Sequence, residues 1–541
     1  MKKLLVFILV LSLALLSACS STDADNSYVC RWHNDLDFNG LCDTCGGNME
    51  DGTNGGTDNS VSGSPCAAHT DSDDNGVCDG CRCSLLVSID FYSVNDLHGK
   101  ILDTDIQPGV DELTTYLKSA SGGDKNAVIL SSGDLWQGGA ESNLTHGRIV
   151  TDWMNNVGFV SMTLGNHEYD WGEEYIEANG ELANFPFLAI NVYERSTNER
   201  VNYAKASVMV ERDGVQIGII GAIGDCYSSI SSDMVRDVYF KTGRELTELV
   251  KAESERLRAE GADFIVYSLH DGFNQTKTNE TLITNSQLSS YYDPSLSRGY
   301  VDLVFEGHTH QRYVMYDSYS VYHVQASGEN KGIGYVGIVI NSVTGTYRTS
   351  AAEFVSSNVY KQLESDSVMD TLLQKYEQEI SSAYRVIGEN SSYRSSEYIK
   401  NLVARLYLEL GLKEWGNDYN IFLGGGFISV RSPYNLAAGE VKYGYLQMLL
   451  PFDNRLVLCS IKGKDLKSRF LEATNDNYYI SLSAYGTSMK DSIDDNSTYY
   501  IITDTYCSSY AWNRLTVVKE FTDGVYARDL VADYIAKGGL K

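Results

Sequence analysis

The sequence predicts an α/β protein with more than one domain, and three observations support this. From residue 85 onward, apolar runs alternate with amphipathic stretches, which is the pattern of layered strands and helices. The chain has 541 residues, enough for two or three domains that each bury a core. A break near residue 355 separates this region from a second one with its own apolar runs.

Short apolar runs in the first region predict buried strands. Each run is short enough for a strand and ends at a polar or glycine-containing segment. The runs are LLVSIDFYSV (85–94), AVILSS (127–132), FVSMTL (159–164), FIVYSL (264–269) and VDLVFE (301–306).

An amphipathic helix is predicted between the two regions. The segment VMDTLLQKYEQEISSAY (368–384) places Met369, Leu372, Tyr376 and Ile380 at helical spacing. We therefore expect a first domain over residues 85–357, a linker helix within residues 358–388 and a second domain over residues 389–541.

The amino terminus is typical of a bacterial secretion signal. Residues 1–19 contain two lysines, a long apolar core and small residues before Cys19. The sequence LSAC resembles a lipoprotein processing site, so we expect Cys19 to carry lipid and to anchor the protein to the bacterial cell membrane, outside the cytoplasm. A simple secretion signal, cleaved near Ser17 or Ala18, is the alternative.

Residues 20–84 are predicted to form an acidic tether that contains a repeat. CRWHNDLDFNGLCDTC (30–45) and CAAHTDSDDNGVCDGC (66–81) share the spacing C-x2-H-x8-C-x2-C. Such a set suits a tetrahedral structural zinc, whereas disulfides and a calcium loop that lacks its closing Glu are alternatives. The candidate structural ligands are Cys30, His33, Cys42, Cys45, Cys66, His69, Cys78 and Cys81.

The charge of the chain restricts its partners. Lys and Arg total 43 against 72 for Asp and Glu, a formal net charge of −29. This balance argues against a nucleic-acid partner, and we expect membrane contact through the lipid anchor only. An anionic small molecule would need local compensation from metal ions or a few arginines. The sequence does not indicate an oligomeric state.

Each predicted strand of the first domain is followed directly by side chains that can bind metal or carry protons. A single loop Asp or His is usually a turn residue, but five such segments in register are hard to explain as turns alone. Open sheets build their sites at the carboxyl ends of strands, so we expect one shared site. The segments are NDLHG (Asp96, His98), GD (Asp134), GNHE (Asn166, His167), HDG (His270) and GHTH (His308, His310).

The types of these side chains fit one chemical task. Carboxylate, amide and imidazole ligands without thiolate suit zinc, manganese, iron or similar divalent ions, and a shared carboxylate suits a pair of ions. A pair of ions can activate water and bind an anionic substrate. These are the requirements of phosphoester hydrolysis.

The motifs NDLHG, SSGDLWQGG, TLGNHEYDWG and EGHTHQ resemble those of the calcineurin-like metallophosphoesterases, in particular the bacterial 5′-nucleotidase and UDP-sugar hydrolase branch. The resemblance covers roughly residues 86–541. It implies a four-layer αββα sandwich followed by an α+β nucleotidase-type domain that binds substrate. It also implies two ion sites that share Asp134: Asp96, His98, Asp134 and His310 for one, and Asp134, Asn166, His270 and His308 for the other.

The same resemblance assigns His167 and Asp170 to a catalytic pair. If a helical turn opens here, the i, i+3 spacing lets the carboxylate face the imidazole and fix its tautomer. A cationic His167 could then stabilise the transition state or assist the leaving oxygen. We expect the neighbouring Glu168 and Tyr169 to be structural.

The second domain resembles the family less closely. Arg431, after the glycine cluster Gly424–Gly426, is expected on the phosphate side, and the resemblance adds Gly425, Gly426 and Phe452 as substrate contacts. Tyr506 stands where a base-stacking aromatic is expected, but the segment DTYCSSYAWNRL (504–515) lacks the family's GGDGY-like loop. The base preference therefore cannot be transferred.

These observations predict a metal-dependent 5′-nucleotidase outside the cytoplasm. Hydrolysis of 2′,3′-cyclic nucleotides or of UDP-sugars is the alternative within the enzyme class. A surface-binding protein that has lost catalysis is the alternative of a different class.

Overall fold

The structure is a computed structural model that describes residues 69–103, 108–121, 126–274, 277–471, 493–510, 514–521 and 524–541. The signal segment with Cys19 and the whole first Cys/His repeat lie outside these ranges. Within them, no helix combines the length and the apolar character that crossing a bilayer requires.

The first domain alternates strands and helices along the chain. Its strands are β1 (Leu86–Val94), β2 (Ala127–Ser131), β3 (Ser161–Thr163), β4 (Phe187–Leu188), β5 (Val192–Glu194), β6 (Ser207–Arg212), β7 (Val215–Ile223), β8 (Val238–Phe240), β9 (Phe264–His270), β10 (Lys277–Leu282), β11 (Leu303–Glu306), β12 (Tyr313–Tyr316), β13 (Tyr322–Gln325), β14 (Gly332–Asn341) and β15 (Tyr347–Ser356). Its helices are α1 (Asp111–Ser121), α2 (Ala140–Thr145), α3 (Arg148–Val157), α4 (Glu173–Leu182), α5 (Gly243–Ala259), α6 (Asn285–Leu288) and α7 (Ser357–Tyr360). Short 3₁₀ turns cover His167–Tyr169 and Tyr227–Ser229.

Two mixed sheets form the framework of this domain. One has the strand order β15-β14-β1-β2-β3-β4 and the other β10-β12-β13-β11-β9-β7-β6. Strands β1, β2 and β3 run parallel to one another, and so do β7, β9 and β11. The carboxyl ends of the central strands therefore lie together at one edge of each sheet.

The two sheets pack face to face across an apolar layer. Phe91 of β1 and Phe264 of β9 meet in this layer with ring centroids 5.5 Å apart. On the outer side, the first sheet packs against α1, α3 and α4, where Trp153 is fully buried. The second sheet packs against α5 through Val250 and Leu257. The order helix, sheet, sheet, helix confirms the expected four-layer sandwich.

All five predicted strands are present. The five apolar runs correspond to β1, β2, β3, β9 and β11, and their ends agree with those of the strands to within two residues. The sequence reading did not name β7 (Val215–Ile223), which is buried along nearly its whole length and lies between β9 and the edge strand β6.

The predicted helix over residues 368–384 is broken into three pieces. They are α8 (Val368–Lys375), α9 (Glu377–Ile380) and a 3₁₀ turn at Ser381–Tyr384. The break falls at Tyr376, whose hydroxyl donates to Oδ2 of Asp152 on α3 at 2.8 Å. The apolar residues of the segment join the core of the first domain. The segment therefore lies along the first domain.

The second domain is α+β, as expected. Its strands are β16 (Val386–Asn390), β17 (Arg394–Ser395), β18 (Ile421–Gly424), β19 (Asn435–Leu436), β20 (Gly439–Lys442), β21 (Leu456–Lys462), β22 (Thr498–Asp504) and β23 (Thr516–Glu520). Its helices are α10 (Ser396–Trp415), α11 (Tyr443–Leu449), α12 (Gly463–Leu466), α13 (Thr505–Ser509) and α14 (Ala527–Ala536), with a π turn at Lys467–Leu471. The main sheet has the order β18-β22-β21-β23, and α10 packs on it through Val403 and Leu406.

Candidate metal centre and substrate cleft

The seven candidate ligands meet where the carboxyl ends of the central strands converge. Asp96 and Asp134 follow β1 and β2, Asn166 follows β3, His270 ends β9, and His308 follows β11. His98 and His310 each lie two residues after one of these positions. The topology thus gathers residues from distant parts of the sequence at one edge of the sandwich.

The first group of candidate ligands comprises Asp96, His98 and His310. Nε2 of His98 lies 2.9 Å from Nε2 of His310, and Oδ1 of Asp96 lies 3.4 Å from the same His310 atom. Nδ1 of His98 is 3.0 Å from the carbonyl oxygen of Gln137. Because this carbonyl can only accept, we assign the proton to Nδ1, which leaves the lone pair of Nε2 directed at the cluster.

The second group comprises Asn166, His270 and His308. Nδ1 of His270 donates to the carbonyl oxygen of Ser132 at 2.7 Å, which directs its Nε2 at the cluster. Burial lowers the pKa of His270, but Asp134 outweighs it and raises the pKa to about 10, so an ion bound at Nε2 would replace a proton there. This Nε2 faces Oδ1 of Asn166 and Oδ2 of Asp134, each at 3.2 Å. Oδ1 of Asn166 is also 2.8 Å from Nδ1 of His308. Amide oxygen, carboxylate oxygen and imidazole nitrogens that converge within about 3 Å of one another form a donor set that fits a divalent metal ion.

Asp134 lies between the two groups. Its Oδ1 accepts the backbone N–H of His167 at 2.8 Å, and its Oδ2 faces His270. Its carboxylate also lies within 4.8 Å of ligand-type atoms of Asp96 and His98. Burial raises the pKa of Asp134, but His270 and His167 outweigh it and hold the pKa well below its usual range. A buried carboxylate in this position fits the bridge between two ions.

The backbone at most of these positions is strained. Asp96, His98, Asp134, His308 and His310 have φ values of 50°, 51°, 56°, 69° and 52°. Non-glycine residues reach this left-handed region at a cost of roughly 1–3 kcal/mol each, and such residues concentrate at functional sites. The loops therefore hold these side chains in place at the expense of backbone strain.

Glu168 holds the loop that carries Asp134. Its carboxylate accepts backbone N–H groups of Asp134 and Leu135, each at 2.9 Å, and of Gly165 at 2.7 Å. Burial, together with the charge of Asp134, raises the pKa of Glu168 to about 7. The geometry agrees with the structural role expected for this residue and shows which loops it joins.

Two glycines and one thiol belong to this site and were missed by sequence reasoning. A Cβ on Gly165 would collide with Oδ1 of Asp134, and a Cβ on Gly133 would lie 2.6 Å from Nδ1 of His270. The sequence signal that could have identified these glycines is their position, because Gly133 directly precedes Asp134 and Gly165 directly precedes Asn166. The buried thiol of Cys226 lies within 4.8 Å of ring nitrogens of His270 and His308, and no sequence pattern pointed to it.

His167 and Asp170 form the expected pair. Nδ1 of His167 lies 2.6 Å from Oδ2 of Asp170 across the 3₁₀ turn, and both side chains are nearly buried. Burial lowers the pKa of His167, but Asp170 and Asp134 outweigh it and raise the pKa above its usual value. Nε2 of His167 lies 2.8 Å from Nη2 of Arg431, which comes from the second domain.

A pocket of about 250 Å³ begins at Asp170 and lies between residues of the two domains. Asp170, Arg431, Phe452 and Tyr506 line it, so three of the predicted substrate residues lie together. Phe427, which sequence reasoning missed, also lines the pocket, with its ring centroid 5.7 Å from that of Tyr506.

The predicted glycine contacts have a different environment. Gly425 and Gly426 are not among the described residues that line the pocket. The N–H of Gly425 donates to the carbonyl oxygen of Ile502 at 2.9 Å, and a Cβ on Gly426 would collide with Oγ1 of Thr503. Close packing against β22 accounts for Gly426, and a φ of 148° favours glycine at position 425. Contact of either glycine with substrate stays a prediction.

Comparison with protein families identifies the first domain. Residues 90–312 match the model of the family described as calcineurin-like phosphoesterase. This range contains all seven candidate ligands of the two-ion site together with His167 and Asp170.

Individual relatives match over most of the chain at low identity. Protein UshA of Yersinia enterocolitica is 24% identical over 441 residues, which cover 72% of this chain and 76% of that protein. Endonuclease YhcR of Bacillus subtilis is 28% identical over 419 residues, covering 70% of this chain but only 32% of the relative. Among solved structures, the 5′-nucleotidase precursor of Thermus thermophilus has the same fold, with a TM-score of 0.61, 18% identity and coverage of 83% and 96% of the two chains.

Proposed function

We propose a substrate class and a mechanism for this chain, which belongs to the calcineurin-like phosphoesterases through residues 90–312 and is therefore a phosphoester hydrolase. Its proposed substrates are nucleotides, cleaved outside the cytoplasm in the manner of a 5′-nucleotidase. The observation that carries the proposal is the position of Arg431, which extends from the second domain to within 2.8 Å of His167 beside the candidate metal centre.

Two divalent ions, zinc, manganese or similar, are proposed as cofactors. Asp96, His98, Asp134 and His310 would hold one ion, and Asp134, Asn166, His270 and His308 the other. Bound there, the ions would supply a water activated for attack and positive charge for the phosphoryl oxygens.

Arg431 is proposed to bind the phosphate. Its Nε is buried and has no hydrogen-bond partner among the described residues. Its guanidinium lies 5.3 Å from the ring centroid of Phe452, which holds it at the mouth of the metal centre. Because a buried N–H without an acceptor is costly, an anionic group that accepts from Nε of Arg431 would stabilise this arrangement.

His167 is proposed to act on the phosphoryl group or the leaving oxygen. Its Nδ1 faces Asp170, which favours a proton on that nitrogen and supports the cationic ring. In the present arrangement Nε2 accepts from Arg431, so a cationic His167 needs Arg431 to move or a phosphate oxygen to enter between them. A phosphate that contacts both groups would thus join the two domains in the reaction.

The cleft favours a mononucleotide over a polynucleotide. A pocket of about 250 Å³ is at the small end of ligand sites, and the aromatic rings of Phe427 and Tyr506 are suited to contact a base. The net charge of −29 disfavours binding of a long polyanion. Although one relative is named an endonuclease, these features support nucleotides as substrates.

The proposed location rests on the amino terminus. The apolar segment before Cys19 supports export and a lipid anchor on the bacterial cell membrane. Metabolic labelling with a radioactive fatty acid tests this anchor, because Cys19→Ser should abolish incorporation while Cys30→Ser should not.

A hydrolysis screen that separates the products by chromatography and also measures released phosphate tests the substrate class, because cleavage of a cyclic nucleotide or of UDP-glucose releases no inorganic phosphate. Purified protein with added manganese or zinc is offered nucleoside mono-, di- and triphosphates, 2′,3′-cyclic nucleotides and UDP-glucose, with Asp134→Asn as the inactive control. We expect the highest kcat/KM on a nucleotide with a terminal phosphate. Cleavage confined to cyclic nucleotides or UDP-glucose would replace the proposal with the corresponding alternative. Loaded protein that cleaves nothing would support the surface-binding alternative.

A further inference from the structure

A second group of metal-binding side chains lies in the amino-terminal part of the described chain. We propose that His69, Cys78, Cys81 and Cys83 bind one zinc ion, and that this ion fixes residues 69–84 to the hairpin formed by β14 and β15. Cys83 is not part of the repeated Cys/His spacing, so the proposed ligand set differs from the one predicted by the sequence.

The distances within this group fit a tetrahedral site. Nδ1 of His69 lies 3.3, 3.6 and 3.7 Å from the Sγ atoms of Cys78, Cys81 and Cys83, and the last two sulfurs are 3.0 Å apart. Zinc bonds of about 2.3 Å to sulfur and about 2.0–2.1 Å to nitrogen place ligand atoms of a regular tetrahedron about 3.5–3.8 Å apart. All four ligand atoms lie within 4.8 Å of one another, and of the four distances above the separation of Cys81 and Cys83 departs most from that geometry.

The backbone between Cys78 and Cys83 forms a compact turn around the group. The N–H of Cys78 donates to the carbonyl oxygen of Cys83, and the N–H of Arg82 donates to that of Cys78, each at 2.9 Å. N–H groups of Gly80 and Cys81 are directed at Sγ of Cys78. Hydrogen bonds from N–H groups favour thiolates, which are the form of cysteine that binds metal.

The fourth ligand distinguishes this proposal from the repeat pattern. The repeat spacing assigns that position to Cys66, which lies outside the described residues. Among the described residues, Cys83 is the fourth ligand-type side chain beside His69, Cys78 and Cys81, and 36 residues earlier the first repeat has Gly47. The second repeat therefore has a ligand that the first lacks.

Calcium fits the described loop less well. Both oxygens of Asp71 accept backbone N–H groups, from Asn75 at 3.0 Å and from Gly76 at 2.7 Å. The carboxylate of Asp71 thus closes a turn by accepting N–H groups, whereas in a calcium loop its oxygens would be directed at the ion.

The loop around the thiols is tied to the first domain. Nδ2 of Asn341 donates to Asp71 at 2.6 Å and to Asp74 at 3.0 Å, and Oγ1 of Thr344 donates to Asp74 at 2.7 Å. Val77 and Ser84 form an antiparallel bridge just before β1. Because few apolar residues of this loop are buried, an ion would supply folding energy that the loop cannot obtain from a core.

The proposed ion lies far from the candidate active site. It sits before the amino end of β1, whereas Asp96 follows the carboxyl end, and nine residues of strand span roughly 30 Å. Removal of the ion should therefore lower stability and leave turnover unchanged.

The test compares full-length Cys83→Ser with the matched variant Cys66→Ser. Each protein is saturated with zinc and dialysed, and bound zinc is counted by mass spectrometry alongside thermal unfolding and kcat/KM. We expect Cys83→Ser to lose one zinc ion per chain and to unfold at a lower temperature, with kcat/KM unchanged. Cys66→Ser should retain the ion.

Cobalt substitution, and titration of free thiols in the denatured protein to detect a disulfide, complete the test. Cobalt-loaded protein should show thiolate-to-cobalt charge-transfer absorption, which a site of oxygen and imidazole ligands does not produce, and Cys83→Ser should weaken this absorption. Loss of zinc in Cys66→Ser with retention in Cys83→Ser would overturn the proposed ligand set. A Cys81–Cys83 disulfide in the unreduced, denatured protein, or an unchanged zinc count in Cys83→Ser, would overturn the site itself.

Discussion

At the scale of the residue, the environment of each buried ionisable group decides its proposed role. Asp134 is held ionised by two neighbouring imidazoles, which is what a bridging ligand requires. His98 and His308 are instead held neutral, because burial moves the pKa of His98 well below its usual value and that of His308 to about 4. Neutral imidazoles and an ionised carboxylate are the protonation states in which these residues bind metal.

The position of Asp134 between the two groups predicts unequal effects of ligand substitutions. Asp134→Asn should remove both ions and abolish activity, because the bridge serves both sites. His310→Ala should weaken one site and leave the second occupied, since Asn166, His270 and His308 are untouched. Metal content by mass spectrometry and phosphate release under subsaturating metal check this order. Equal loss of metal in the two variants would contradict the bridging assignment.

The pair of His167 and Asp170 predicts a change in the pH profile. Asp170 raises the pKa of His167, so the cation persists at low pH and is lost as the pH rises through that raised value. If activity needs the cation, Asp170→Asn lowers the pKa and shifts the alkaline limb of kcat to lower pH. Turnover should also fall, by about 10²–10⁴-fold if acid–base catalysis is lost.

The metal content of Asp170→Asn provides the control for this profile. We expect it to equal that of the unsubstituted protein, because Asp170 belongs to neither candidate ion site. A large loss of metal, or an alkaline limb that does not move, would show that the carboxylate does not act through His167.

At the scale of the element, short loops after strands carry the site, and one buried carboxylate joins two of them. Glu168 binds the loop after β2 and the loop after β3 through three backbone N–H groups. The left-handed Asp134 lies within the first of these loops. Its conformation therefore depends on contacts made by a residue more than thirty positions away.

Substitution of Glu168 tests this dependence. Glu168→Gln replaces an acceptor by an amide NH2 that must face a backbone N–H, at a cost of about 1–3 kcal/mol for the unsatisfied groups. We expect weaker metal binding, seen as a higher metal concentration for half-maximal activity, and partial rescue at high metal. Glu177→Gln, an exposed change on α4, is the control and should have no effect. Unchanged metal dependence in Glu168→Gln would exclude the positioning role.

At the scale of the whole molecule, the proposed reaction site is completed by contacts between the two domains. Besides the contact of Arg431 with His167, Nδ2 of Asn143 donates to the carbonyl oxygen of Gln447 at 2.9 Å. Ser232 and Ser509 also contact each other, with the N–H of Ser232 donating to Oγ of Ser509 at 3.3 Å. A product held from both sides can leave only if these contacts open, and the flank that includes Gly388 is a candidate hinge.

A disulfide across the cleft tests whether opening is needed. Ser232→Cys together with Ser509→Cys places two thiols at positions already in contact. We expect the oxidised form to retain metal but to lose most of its turnover, and reduction should restore it. Each single substitution is the control for the chemistry of an added thiol. Full turnover by the locked form would mean that the cleft need not open.

Removal of the amino-terminal region separates stability from chemistry. A protein that begins at residue 85 lacks both Cys/His repeats but keeps every candidate ligand of the reaction site. We expect nearly normal kcat/KM and a lower unfolding temperature, because the contacts of Asp71 and Asp74 with Asn341 are lost. Activity and calorimetric unfolding of the two proteins check this. A folded, metal-loaded protein without activity would assign the repeats a catalytic role.

The sequence by itself determined five central strands of the first domain and the candidate residues that follow them. A buried parallel strand appears in the sequence as a local apolar run. Because parallel strands end at the same edge of a sheet, the polar residues that follow them lie together, so a local pattern was sufficient to predict the site. The His167 and Asp170 contact was likewise accessible, because it lies within a single turn.

Only the tertiary structure decided the features that depend on contacts between distant segments. Four features are of this kind. They are the break at Tyr376, the three N–H groups bound by Glu168, the contact of Arg431 with His167 and the position of Cys83 beside His69. Each results from a polar group that finds its partner only after separate segments have packed together. Hydrophobic periodicity records which face of an element is buried, but it does not record which polar partner the burial brings within reach.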